Sequence, residues 1–175
     1  MLKGERVFLR PVEMEDAPTI AIWENNPENW RVTNTEAPYS LQAIIAHIEN
    51  VQNIRQTGEL RLLICLSDSE KPIGTVDLNN VDFKHDHAEV GILIGDTNER
   101  GKGYAQEALE LLIDYADKIL ALHNLIAYIL EDNTPSIHLF QSVGFELVGS
   151  LKEWFLDRNG RTNIRIYQLC IKKEN

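Results

Sequence analysis

Residues 98–109 read NERGKGYAQEAL, with Arg100 and Lys102 alternating with Gly101 and Gly103 just ahead of a segment of helical periodicity. The first turn of a helix has unpaired backbone N–H groups and carries partial positive charge. Glycine lacks a Cβ and lets an anion approach those groups closely, and two neighbouring cations add to the attraction. The combination reads as an anion site, most naturally for phosphate, or else as an exposed turn with a glycine-rich helix start. Two familiar phosphate loops are excluded. Against G-x-x-x-x-G-K-[ST], the span from Gly95 to Gly101 is one residue too long, and Lys102 is followed by Gly103. Against G-x-G-x-x-G, position 106 is Gln106, and the turn does not follow the first strand of a βαβ series.

Other side chains suited to chemistry lie on either side of this turn. Glu89 opens the apolar run 88–95. A carboxylate there is costly if buried without a partner, so it reads either as a general base or as a solvated strand-end charge. His85 and His87 stand two apart in a short polar turn with no Cys or third His nearby; a solvated turn is favoured and no metal is expected. Trp30, next to Arg31 in what reads as a loop between helices, is a candidate wall for an acceptor pocket, whereas Trp23 reads as core. Glu24, Glu28 and Glu36 share that region and could attract a cation, although each alone reads as surface charge.

The elements that must position these residues follow from periodicity. Residues 5–10 alternate as a strand. A helix begins in the acidic stretch from Glu13, with Pro18 tolerated in its first turn, and stops at Asn25-Asn26-Pro27. Ser40 is placed to cap a second helix, whose Leu41, Ile44, Ile45, Ile48 and Val51 repeat at helical spacing up to a stop at Gly58. Strands are expected over 60–66, 73–83 and 88–95. After the glycine turn, Ala105, Ala108, Leu109, Leu112, Ala116 and Ile119 line one helical face, and 125–130 is a further strand. That strand–helix–strand order predicts a parallel crossover. A last helix over 135–143 ends at Gly144, and strands 145–156 and 162–171 flank an Asn159-Gly160 turn. The chain is α+β with a mixed sheet, one domain over residues 1–175.

Composition narrows the class. The net charge of −10 lacks the basic footprint of a nucleic-acid binder, so no nucleic acid is expected, and it suits a cationic partner. The N-terminal MLKGERVFLR has no signal-peptide core, and no apolar run is long enough to span a membrane. Cys65 and Cys170 lie in apolar stretches outside any C-x-x-C spacing, which reads as two buried thiols. A cytoplasmic protein is expected.

Taken together, Arg100-Gly101-Lys102-Gly103-Tyr104-Ala105 resembles the [RQ]-x-x-G-x-[GA] segment of the GCN5-related N-acetyltransferases. Residues 88–95 resemble the strand before it, and Asn133, Ser136 and Gly144-Phe145 the segment after the next strand. The match spans most of residues 5–172. Within the family the chain is similar to spermidine acetyltransferases, through Glu36-Ala37-Pro38-Tyr39 and residues 163–167, and to ribosomal-protein alanine acetyltransferases. Polyamine enzymes tend to carry a second acid where this chain has Ala37.

The resemblance implies a three-layer fold: a mixed, mostly antiparallel sheet with helices on both faces and two central parallel strands, 88–95 and 125–130, that splay apart. It implies acetyl-coenzyme A as co-substrate. The pantetheine arm would pair with Ile92, Leu93 and Ile94, and the phosphates would meet the turn from Arg100 through Gly103 to Tyr104, Ala105 and Gln106. Asn133, Ser136 and Phe140 would complete the cofactor wall. Glu89 corresponds to the family's base, often acting through water, and the backbone N–H of Ile94 or its neighbour would face the oxyanion if the strand is locally distorted. Where the family's acid is usually a tyrosine, this chain has Phe140; Ser136, one helical turn back, could hydrogen-bond the leaving thiolate, or cap the helix, or bind the cofactor. Trp30, Glu36 and Glu89 are expected to contact the acceptor. The implied acceptor is a primary amine, a polyamine such as spermidine or a protein N-terminus; a catalytically weak acyl-coenzyme A-binding module is the alternative. An assembly of identical chains is expected, of unspecified number.

Overall fold

The structure, a computed structural model, describes residues 2–51 and 53–171. Eight strands form one sheet: β1 (Leu2–Lys3), β2 (Val7–Pro11), β3 (Leu60–Leu66), β4 (Pro72–Asp82), β5 (His87–Ile94), β6 (Asn124–Leu130), β7 (Glu146–Asp157) and β8 (Gly160–Cys170), in the spatial order β1-β2-β3-β4-β5-β6-β8-β7. The helices are α1 (Ala17–Glu24), α2 (Pro27–Thr33), α3 (Leu41–Asn50), α4 (Ile54–Thr57), α5 (Tyr104–Lys118) and α6 (Thr134–Ser142). Three layers result, because the central strands are apolar on both faces. In β3, Leu62, Ile64 and Leu66 join the core beneath α5 and α6, while Leu63 and Cys65 join the core beneath α1 and α3. A strand buried on both sides reads as a continuous apolar run rather than an alternation, as RLLICL does. Each such leucine or isoleucine, fully buried, is worth about 1.5–3 kcal/mol.

The expected strands and crossover are present, and β5 and β6 are the parallel pair. Their register covers only His87↔Asn124, Ala88↔Leu125 and Glu89↔Ile126. Beyond Glu89, β5 stays paired with β4 as far as Ile94↔Gly74, and β6 stays paired with β8 as far as Leu130↔Ile164. The central strands therefore separate while each remains held on its outer side.

Four expectations need correction. Trp30 is not in a loop: it lies on α2, a helix hidden by Asn25-Asn26-Pro27. Those residues end α1, but the Asn26 side chain also accepts from Glu28 N, and Pro27 fills the first position of the next helix. Cys170 is exposed rather than buried. Alternation along β8 sends Tyr167, Leu169 and Ile171 to the core and leaves Cys170 on the Gln168 face, its Sγ 3.1 Å from Asn124 Oδ1. Glu24 is buried rather than a surface charge. The strand irregularity lies in β4, where the register shifts between Asn79 and Asp82 and Asn80 takes φ 48°, and the pairing of β5 over residues 90–94 is regular.

Candidate active site

At the end of β5 the chain turns against Trp23: a Cβ on Gly95 would overlap the indole. Gly101 and Gly103 then take φ of +72° and +84°, the left-handed region that favours glycine. Gly103 is also the N-cap of α5 and provides no side-chain acceptor for its first amides. Those amides stay available to an outside acceptor. The turn is braced by the residue just before β2: Arg6 donates to Lys102 O at 2.9 Å, lies over the Tyr104 ring at 5.3 Å, and pairs with Glu107 at 3.2 Å.

A groove of about 590 Å³ starts at this turn. Arg100, Gly101, Gly103, Tyr104, Ala105 and Gln106 line one end, Ile92, Leu93 and Ile94 one side, and Asn133 and Ser136 the other. The two cations of the turn are already engaged. Arg100 donates to Ile94 O at 3.0 Å and to Oδ1 of buried Asn29 at 2.7 Å. Lys102 pairs with Glu99 at 2.7 Å, which holds its ammonium above the ordinary lysine value, and it is absent from the groove wall.

Between the separated strands is a smaller space of about 110 Å³, walled by residues 90–92 and 127–130 with Asn133, Ser136 and Phe140. Asn133 caps α6, its Oδ1 accepting from Ser136 N at 3.3 Å. The Ser136 hydroxyl has no partner among the described residues. Phe140 is buried edge-on against Phe145, centroids 5.0 Å apart. Glu89, the last residue of β5 paired with β6, stands at the foot of this gap; it is half-buried, and Asn80 donates to its Oε1 at 2.9 Å.

On the α1/α3 face, a third cavity of about 460 Å³ has an ionic floor. Arg61 of β3 donates to Asp77 Oδ1 at 2.8 Å and Oδ2 at 3.3 Å, and to Glu24 Oε1 at 3.1 Å. Burial pushes the Asp77 carboxyl up more than Arg61 pulls it down. Tyr39, His47, Asn79 and three threonines, Thr33, Thr35 and Thr75, complete the polar wall. Val32 and Ile92 line all three spaces, and Gly91 lines both the ionic cavity and the gap, so the three meet at the point where β5 leaves β6.

An acetyltransferase (GNAT) domain model matches residues 6–146. The chain belongs to the GNAT acetyltransferases. It is 31% identical over 173 residues to the spermidine N(1)-acetyltransferase of Escherichia coli strain K12, covering 98% of this chain and 88% of that one. It is 30% identical to N-acetyltransferase p20 of Bacillus licheniformis, covering 99% and 97%. Among solved structures, spermidine N-acetyltransferase from Vibrio cholerae in complex with CoA and spermine superposes with a TM-score of 0.87 over 95% of this chain and 96% of that one, at 24% identity.

The GNAT frame thus brings together Ile92, Leu93, Ile94, the glycine turn, Asn133, Ser136 and Phe140 along two connected spaces, while Glu89 stands at the last β5–β6 pair and lines none of the three. It does not bring Trp30 or Glu36 there. The Trp30 indole folds back to donate to Glu24 O at 2.9 Å, and Glu36 is exposed outside the three walls. Reading the sequence missed the ionic floor. Its signal was present in Arg61 and Asp77, two charges inside apolar strands; only the register Arg61↔Asp77 shows that they are cross-strand partners. Among the described residues no group of three His, Cys, Asp or Glu is placed to hold a metal ion, and no helix is long and apolar enough to cross a membrane.

Proposed function

We propose that this acetyltransferase moves the acetyl group of acetyl-coenzyme A to a primary amine of a polyamine such as spermidine. One observation carries the reading: the gap between β5 and β6 opens beside the uncapped start of α5 and meets a cavity floored by carboxylates. The free edge of β5 over residues 90–94 offers backbone groups that need polar partners, which suits a pantetheine amide chain. The amides of residues 104–106 suit its pyrophosphate.

The chemistry follows from what an amine needs. An alkylammonium with pKa near ~10.4 is not a nucleophile at neutral pH. Glu89, at the foot of the gap, takes its proton through water; Asn80 holds one carboxylate oxygen and leaves Oε2 without a partner among the described residues. The freed nitrogen attacks the thioester carbon, the C–S bond breaks, and the Ser136 hydroxyl donates a hydrogen bond to the departing sulfur. Phe140 supplies no proton, so the thiolate draws its proton from the new ammonium or from water. An N–H on the free edge of β5 over residues 90–94, where the pairing with β4 is regular, is the donor for the carbonyl oxygen. The relatives named for spermidine support the acceptor class. Because the Vibrio cholerae enzyme is described as dodecameric, an assembly of identical chains is part of the same proposal.

The deciding experiment follows coenzyme A release from acetyl-coenzyme A with spermidine at neutral pH. Saturable turnover is expected. Glu89→Gln should lower kcat by about a hundredfold, and an unchanged pH–rate profile would remove it as the base. The Phe140 and Ser136 pairing favours a second reading, transfer to a protein N-terminus; turnover of an N-terminal peptide with none of spermidine would establish that instead.

A further inference from the structure

The ionic floor is not balanced. Arg61 spends two donors on Asp77 and satisfies both of its oxygens, while Glu24 receives one bond, on Oε1. Glu24 is nine-tenths buried, lines the cavity, and has no partner for Oε2 among the described residues. Two carboxylates facing one guanidinium leave a net negative charge with little water around it, and a buried carboxylate of this kind is costly until a cation meets it. His47, the other titratable group on the wall with Tyr39, comes from α3.

The position of this charge bears on the transfer. Asp77 and Gly91 are opposed across β4 and β5, so their faces coincide. A Cβ on Gly91 would be 3.8 Å from Asp77 Oδ2, and the glycine leaves that path open between the cavity and the gap. Val32, Ile44, Ile92 and Leu93 add apolar surface to a wall that also holds Thr33, Thr35 and Thr75. An acceptor reaching from the cavity into the gap therefore has one end at the acetyl-transfer point, an aliphatic stretch over Gly91, and its other end at Glu24.

We infer that Glu24, held in place by the Arg61–Asp77 pair, binds a second, still-charged nitrogen of the acceptor. The cavity thereby selects primary amines that carry another ammonium on a short aliphatic spacer over simple monoamines. This rests on the amine-transferase reading and names the residue that reads the acceptor's second charge. Glu24 is a specificity residue here; deprotonation of the reacting nitrogen stays with Glu89.

The test compares kcat/KM for spermidine and 1,3-diaminopropane with that for propylamine, in the wild-type chain and in Glu24→Gln. The glutamine keeps the length of the side chain and an oxygen for Arg61. A charge-assisted contact in a dry site predicts a wild-type preference for the diamines of about ten- to a hundredfold. In Glu24→Gln that preference should fall to within about threefold of unity, chiefly through a raised diamine KM. Glu24→Asp, which keeps the charge, should retain most of it, and Gly91→Ala, which makes only ordinary contacts, should lower diamine turnover by narrowing the path. A preference unaltered in Glu24→Gln overturns the inference while leaving the amine transferase intact. Absence of wild-type turnover with every amine overturns the functional reading and this one with it. If Glu24→Gln fails to fold, the wild-type chain decides: a kcat/KM for propylamine equal to that for the diamines overturns the inference, and a diamine preference of about tenfold or more supports it.

Discussion

The glycine-turn end of the groove and the ionic cavity face the same point on β5 but are assembled differently. The first comes from one continuous stretch, 99–106, whose backbone does the work through two left-handed glycines and a helix start without a side-chain cap. The second takes Glu24 from α1, Arg61 from β3, Asp77 from β4 and His47 from α3, and acts through side chains. A site made of local backbone is robust to changes elsewhere and is bound to a few sequence positions. A site made of distant side chains depends on the sheet register, and its specificity can change one residue at a time.

The contrast can be tested by effects of descending size. Arg61→Met leaves Asp77 and Glu24 facing each other without their cation. Since all three side chains are largely buried, it should cost about 3 kcal/mol, read by urea unfolding, with coenzyme A affinity of the folded fraction unchanged. Gly103→Val puts a β-branched residue at φ +84°, with Arg6 Nη2 3.0 Å from the new Cβ. Coenzyme A affinity by calorimetry should fall about a hundredfold while the ratio between amine acceptors is kept. Asn29→Leu sharpens the comparison, since this buried side chain joins the halves: it accepts from Arg100 and donates to Trp23 O at 2.9 Å. A loss of about 1–3 kcal/mol is expected, and both coenzyme A and amine parameters should move together. If only one moves, the halves are not joined there.

The smallest effect concerns pH. Arg31 bonds Asp132 at 2.8 and 2.9 Å and Asp157 at 2.7 Å, and these hydrogen bonds hold both carboxyls below the ordinary aspartate value. A depressed folded-state value means that the contribution is present above the ordinary carboxylate range and is lost as pH falls through the depressed one. The difference in stability between wild type and Arg31→Met should therefore be constant from pH 7 to about 5 and shrink toward pH 3. A gap that widens in acid would show the wrong sign.

The same contrast explains what was legible in the sequence. The glycine turn, the parallel strands and the capped helices are written in neighbouring residues, as with Ser40, whose hydroxyl accepts from Ala43 N at 3.1 Å. The groove residues were accordingly readable. The helix α2 was obscured because Asn26-Pro27 is at once a stop and a start. Trp30 and Glu36 were assigned to the acceptor on their side-chain types, while the cavity's walls are set by which residues of β3, β4 and β5 lie opposite one another. No local pattern encodes that register, so Arg61 and Asp77 looked like two isolated charges in apolar strands.

The attachment of α2 has a thermodynamic consequence. Arg31 ties the helix to the loop that carries Asn133 and to the β7–β8 hairpin, Asn29 ties it to Arg100, and its Val32 walls all three spaces. A molecule in either the groove or the ionic cavity that favours the docked position of this short helix spares the other the same ordering cost. Linkage then requires reciprocity: whatever factor the acyl donor adds to amine affinity, the amine must add to the donor's.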